Sequence, residues 1–195
     1  MVPYRQVRAV WDDATITVYQ AFCPQIADAA VSAGRFVPPF KPERMTWVKP
    51  SFLWMMYRSG WGTKPDQERV LAVTMTRAGF DEALSLAALA SFDRNVYPDR
   101  PTWQQRVKTS PVRVQWDPER SPTGAPLDHR SLQVGLAGWA AQQYVDEWTV
   151  TIRDISAQVA DLHRQVRADP DNLAGLPVEH PYPLPTASAA AVGAS

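Results

Sequence analysis

Residues Thr15–Phe22 alternate strictly, setting Ile16, Val18, Gln20 and Phe22 on one face and Thr15, Thr17, Tyr19 and Ala21 on the other. A period of two is the pattern of a β-strand. Pro24 then stands where a helix begins, Ile26, Ala27, Ala30 and Val31 fall at helical spacing, and Gly34 suits the residue that ends one. A strand, a short helix and a turn in such close succession commit the chain to mixed α and β structure from its start.

The same reading carries along the chain. Pro38, Pro39 and Pro42 force extended or turning backbone until 45–48 can form a strand. Ser51 is a good N-cap for a helix over 52–58 that Gly60 stops, and this helix is apolar almost all round, which predicts burial. Arg69–Thr76 is β-branched and reads as a central strand, and 80–90 has helical periodicity. Residues 103–107 make a short helix. Val112, Val114 and Trp116 alternate with Arg113, Gln115 and Asp117, giving a strand that ends in the turn-like 117–126, and 129–136 alternates again. Residues 138–147 read as helix and 148–153 as extended. Asp154 caps a last amphipathic helix carrying Ile155, Val159, Leu162 and Val166. Strands and helices mixed without steady alternation predict an α+β fold, a compact mixed or antiparallel sheet core flanked by helices with an antiparallel pair among the late strands.

A chain of 195 residues fits one domain, here 1–175, followed by a Pro/Ala-rich tail over 176–195. Residues 179–185 of that tail are polyproline-prone and either strap an aromatic across the domain or stay free, and the last ten are expected to be disordered. The twenty basic and twenty acidic side chains cancel, so any attraction to polyanions must be local. The single cysteine, Cys23, excludes an internal disulfide and thiolate-pair zinc sites, and it reads as a small buried hydrophobe or a reactive thiol at a helix start. The chain opens without the pattern of a secretion signal and holds no long apolar run, so a cytoplasmic, non-membrane protein is expected. The three histidines lack metal-site spacing, no metal is expected, and no nucleotide-loop or nucleophile-elbow motif occurs.

Chemistry concentrates between residues 35 and 64. Arg35, Lys41, Arg44, Lys49, Arg58 and Lys64 face a single acid, Glu43, and Phe36, Phe40, Trp47, Trp54, Tyr57 and Trp61 are interleaved with them. Cations beside aromatic faces suit a nucleotide or a nucleic acid, while the same aromatics also suit a core from which cations reach outward. Trp54 and Tyr57 fall on the helix expected to be buried. Lys49 and Arg58 lie beside or on that helix and need a partner, an internal carboxylate or a ligand phosphate. Ser51 adds a helix N-terminus with free N–H groups. Gln20 interrupts an apolar strand face, so its amide lines a cleft or marks an exposed strand end. Arg8, Tyr19, Arg113, Arg130 and Gln133 complete the candidates, with Gln20 and Gln133 the weak catalytic ones.

Val7–Ala9, Ile16–Ala21, the Gly-Arg-Phe-Val-Pro-Pro-Phe run at 34–40, the tryptophan-containing block at 45–61, Val112–Asp117 and Arg130–Gln133 together resemble the bacterial domain-of-unknown-function family numbered 4291, over roughly residues 5–185. That family resemblance implies no particular activity. At the level of fold, residues 18–36 are similar to the opening of ADP-ribosyltransferase-like domains. This likeness implies a split sheet, NAD held in a cleft between two small sheets, an Arg or His where this chain has Gln20, and a catalytic Glu on a late strand where it offers Gln133. The nearest carboxylates are Asp117, Glu119 and Glu147. The expected functions are therefore an NAD-binding transferase relative, a nucleic-acid module using 35–64, or an interaction domain without a ligand.

Overall fold

The computed structural model describes residues 2–195. Its elements run β1 (Arg8–Ala9), β2 (Thr15–Phe22), α1 (Pro24–Ala33), β3 (Thr46–Val48), α2 (Phe52–Ser59), β4 (Arg69–Thr76), α3 (Arg77–Leu86), β5 (Ala88–Leu89), α4 (Arg100–Thr109), β6 (Val112–Arg120), β7 (Pro126–Leu136), α5 (Trp139–Gln143) with a π-helical turn (Tyr144–Trp148), β8 (Thr149–Asp154), α6 (Ser156–Ala168), β9 (His180–Pro181) and α7 (Thr186–Val192). This is an α+β fold built on two main sheets. One is three-stranded and antiparallel in the order β2-β4-β8; the other is four-stranded in the order β3-β7-β6-β5, and β1 pairs separately with β9.

The two main sheets touch at one bridge. The Tyr19 N–H donates to the Lys49 carbonyl at 2.8 Å, and the Lys49 N–H returns a bond to the Tyr19 carbonyl at 3.2 Å. Beyond that pair the strands part, because β2 continues along β4 while the chain after Lys49 turns into α2. Pro50 and the Ser51 cap enforce that departure: the Ser51 hydroxyl accepts from the Trp54 N–H at 3.1 Å, the first-turn bond expected of an N-cap.

Alternation along β2 sorts its side chains into two cores. Ile16 and Val18 join Leu71, Val73 and Met75 in the larger one, which also takes the apolar face of the four-stranded sheet through Val48, Val112, Val114, Leu132 and Val134. Tyr19 points the other way, into a smaller core with Phe52, Met55 and Met56 of α2, Val70 and Ala72 of β4, and Val159 and Leu162 of α6. Helix α2 is therefore buried on its Phe52, Trp54, Met55 and Met56 side, but it exposes Tyr57 and Arg58, so its apolar composition overstates its burial.

The tail departs from expectation. The Ala-rich end forms α7, and Val192 is fully buried against the larger core. The Trp116 indole N–H donates to the Val192 carbonyl at 2.8 Å, and Tyr182 is buried with its ring edge-on to Phe80. Alanine carries the strongest helix propensity, and here it also has a surface to pack against, so disorder is not the outcome. No helix among the described residues is long and apolar enough to cross a membrane.

Candidate functional site

Lys49 and Tyr19 are bridge partners and so share a side of the joined sheets, the side covered by α2. On the four-stranded sheet the same side carries Trp47 and Gly135, then Gln115 opposite Gln133, then Asp117 opposite Ser131. Gly135 makes room for Trp47: a Cβ there would stand 2.9 Å from the indole Cε2. The opposite face of these strands is the apolar one, so the polar residues form a continuous patch rather than a scatter.

Asp117 is held on both oxygens. The Gln115 amide donates to Oδ1 at 2.8 Å and the Gln133 amide to Oδ2 at 2.7 Å. Two amide donors fix the plane of the carboxylate without neutralising it, unlike an ion pair. Lys49 is only 7% exposed and donates to the Trp47 carbonyl at 3.0 Å. Burial pushes its ammonium down to about 7, with the Arg58 charge acting the same way and the Asp117 charge opposing.

Two further carboxylates approach the start of α2. Glu119 is buried and accepts from the Arg120 N–H at 2.8 Å. Glu179, from the tail, accepts the Phe52 N–H at 2.6 Å, so the chain's own side chain fills the helix N-terminus that Ser51 marks as a ligand position. Burial pushes the Glu179 carboxyl up to about 8; the Phe52 hydrogen bond opposes, the Glu119 charge adds, and the Arg8 charge opposes. Four ion pairs occur among the described residues, and none includes Lys49, Arg58, Arg120, Asp117, Glu119 or Glu179. Three cations and three carboxylates thus gather around α2 without closing on one another.

The titrations have opposite signs. Glu179 is raised from 4.5 to about 8, so over that window the native chain keeps a proton the unfolded chain has released, and stability falls as pH rises. Lys49 is lowered from 10.5 to about 7, so between those values the native chain has shed a proton the unfolded chain keeps, and stability rises with pH. Glu179→Gln is expected to flatten the fall between 4.5 and 8 in urea midpoints measured across pH; a variant curve parallel to the wild type speaks against this assignment.

The remaining sequence candidates divide. Gln20 is a correction: it points away from Lys49 into the larger core, 3% exposed. Its amide donates to the Thr46 hydroxyl at 2.7 Å and the Trp47 carbonyl at 3.3 Å, and its oxygen accepts from the Tyr144 hydroxyl at 2.7 Å, so it lines no cleft. Gln133 is in the patch, as a support of Asp117. Tyr19 is buried edge-on to Phe52. Arg8 reaches the tail, donating to the Glu179 carbonyl at 2.8 Å. Arg130, which precedes Ser131, lies on the opposite face of β7 and donates to the Tyr4 hydroxyl at 2.9 Å, outside the patch. Arg113 is spent on the Ser110 and Val107 carbonyls at the end of α4.

The basic stretch 35–64 is likewise not one surface. Lys41 and Arg44 border a cavity of about 310 Å³ with Phe22, Ile26, Pro39 and Phe40, while Trp61 stacks on His163 of α6 at 5.0 Å. Arg120 and Glu179 carry no local sequence signal that assigns them to this site, and Asp117 and Glu119 stand out in the sequence only as nearby carboxylates.

These features define an α+β protein whose two sheets meet at a charged seam beneath one short helix. By sequence, the chain belongs to the family described as Domain of unknown function (DUF4291), whose profile matches residues 6–182, essentially the whole domain. No curated protein matches it.

Proposed function

We propose that the chain binds NAD across the seam between its two sheets and cleaves the bond to nicotinamide, handing the ADP-ribosyl group to an acceptor or to water. The observation that carries this reading is that Lys49 and Arg58 lie near Asp117, which is clamped on both oxygens, with none of the three in an ion pair. A ligand with an anionic diphosphate and a cationic ring complements such a set. Lys49 and Arg58 match the diphosphate, and Asp117 matches the positive charge that grows on the ribose as the bond to nicotinamide breaks. The bonding pair leaves on the nicotinamide nitrogen, the acceptor oxygen forms the new bond to the ribose carbon, and its proton passes to solvent. Trp47, half-buried beside Gly135, offers a face for a planar ring.

The likeness of residues 18–36 to ADP-ribosyltransferase-like domains supports the same reading, as does the meeting of two small sheets at Tyr19 and Lys49. The nucleic-acid alternative draws less support, because its cations are divided between α2 and the separate cavity near Phe40. Calorimetric titration with NAD, paired with chromatography of released nicotinamide, tests the proposal. Binding with slow nicotinamide release is expected; silence in both assays removes the reading.

A further inference from the structure

Helix α2 packs its outer side against the hairpin that joins β6 to β7. Gly124 of that hairpin has a φ of +86°, a conformation that favours glycine, and a Cβ there would lie 3.6 Å from the Tyr57 ring. The turn therefore lies beside Tyr57 at ordinary van der Waals range. Arg120 is drawn into the same contact, its guanidinium 3.7 Å from the centre of the Tyr57 ring and 5.8 Å from that of Trp54. Tyr57 and Trp54 are stacked in turn, with centroids 5.4 Å apart.

Two donors in this contact have no acceptor. Trp54 is 6% exposed, and its indole Nε1–H is buried without a hydrogen bond to any described residue. The Arg120 Nε–H is buried without one too, the Nη1 group alone being engaged, on the Gly124 carbonyl at 3.3 Å. Neither group can accept, so only an acceptor atom satisfies them. The Tyr57 ring lies against the Arg120 guanidinium and beside the Trp54 ring and is itself 41% exposed, and exposed aromatic side chains change rotamer far faster than ligands exchange.

We infer that the seam between α2 and the β6–β7 hairpin is an oxyanion subsite, in which Trp54 Nε1 and Arg120 Nε donate to a phosphate oxygen uncovered by rotation of Tyr57. Its ligand is a diphosphate, and, resting on the function proposed above, that diphosphate is the one in NAD. Lys49 then meets it from the sheet, Arg58 and Trp54 from α2, and Arg120 from the hairpin. An indole and an arginine Nε give two directed bonds rather than a diffuse positive field, so the subsite favours a fixed phosphate over a flexible polymer backbone.

Calorimetry with inorganic pyrophosphate, ADP-ribose and NAD on the full chain tests this, using Trp54→Phe, which keeps an aromatic ring, and Arg120→Lys, which keeps the charge. Each change deletes one donor and is expected to weaken pyrophosphate and ADP-ribose by about tenfold, with the melting temperature recorded as a control for folding. Should Trp54→Phe fail to fold, Arg120→Lys decides. No pyrophosphate binding to the wild type, or unchanged affinity in the folded variants, overturns the subsite. Pyrophosphate binding with these losses but no NAD binding keeps the subsite and removes the NAD reading. NAD binding indifferent to both changes does the reverse.

Discussion

Asp117→Asn is expected to lower nicotinamide release by about 10²–10³-fold while changing NAD affinity only a few-fold. Asparagine keeps the shape but loses the charge that the proposed reaction sets against the developing ribosyl cation. It also disturbs the clamp. Gln115 and Gln133 each present an N–H to one Asp117 oxygen, so the amide of an asparagine must turn its own N–H groups toward one of those donors, and one support is lost. The check is kcat and KM for nicotinamide release in parallel with calorimetric NAD affinity. A fall confined to kcat fits a group acting in the transition state, whereas a rise in KM alone reduces Asp117 to a binding contact.

Gln20→Ala is expected to act on stability instead, costing about 3–5 kcal/mol. The change opens a cavity at a position 3% exposed and strands the Tyr144 hydroxyl, which is itself fully buried. A loss of that size corresponds to a fall in melting temperature of roughly 10 °C for a chain of this length. Urea denaturation followed by tryptophan fluorescence measures it. An amide working in a cleft would give the opposite pattern, with turnover lost and the unfolding midpoint unmoved.

The contrast between these two residues shows where sequence reading reached and where it stopped. Alternation in β2 puts Gln20 on the face of Ile16 and Val18, but it does not say which face carries the polar patch. That depends on Lys49 bridging to Tyr19 rather than to its neighbour, and on Tyr144 lying 124 residues further along the chain to receive the amide. Ser51 was legible as a cap because its signal is local. Glu179 was not legible as the group at that helix start, because nothing within the segment 179–185 states where it docks.

The β6 strand runs three residues past the end that its sequence suggests. Pro118 suggests that the strand ends at Asp117, yet β6 runs on to Arg120 through a register shift that follows Pro118. Proline is tolerated in a strand at such irregularities, where a ladder bond is already missing. Those added residues carry Glu119 to the start of α2 and Arg120 against Tyr57, so the three-residue difference hides Arg120 and leaves Glu119 only a nearby carboxylate. Gln115 and Gln133 were visible as polar positions on alternating strands. Their joint grip on Asp117 required the β6–β7 register, in which Gln115 faces Gln133 and Asp117 faces Ser131.

Under the proposed function, Lys49 is the buried amine that meets a ligand phosphate at the seam. Its amine is held down to about 7 by burial, and a docked diphosphate must raise it by adding negative charge beside it. Nitrogen-detected magnetic resonance of the lysine side chains, followed across pH with and without saturating NAD, reads that group directly. One lysine titrating near 7 is expected in the free protein, lost in Lys49→Met, with a midpoint that moves upward when NAD is bound. A midpoint unmoved by NAD would contradict it.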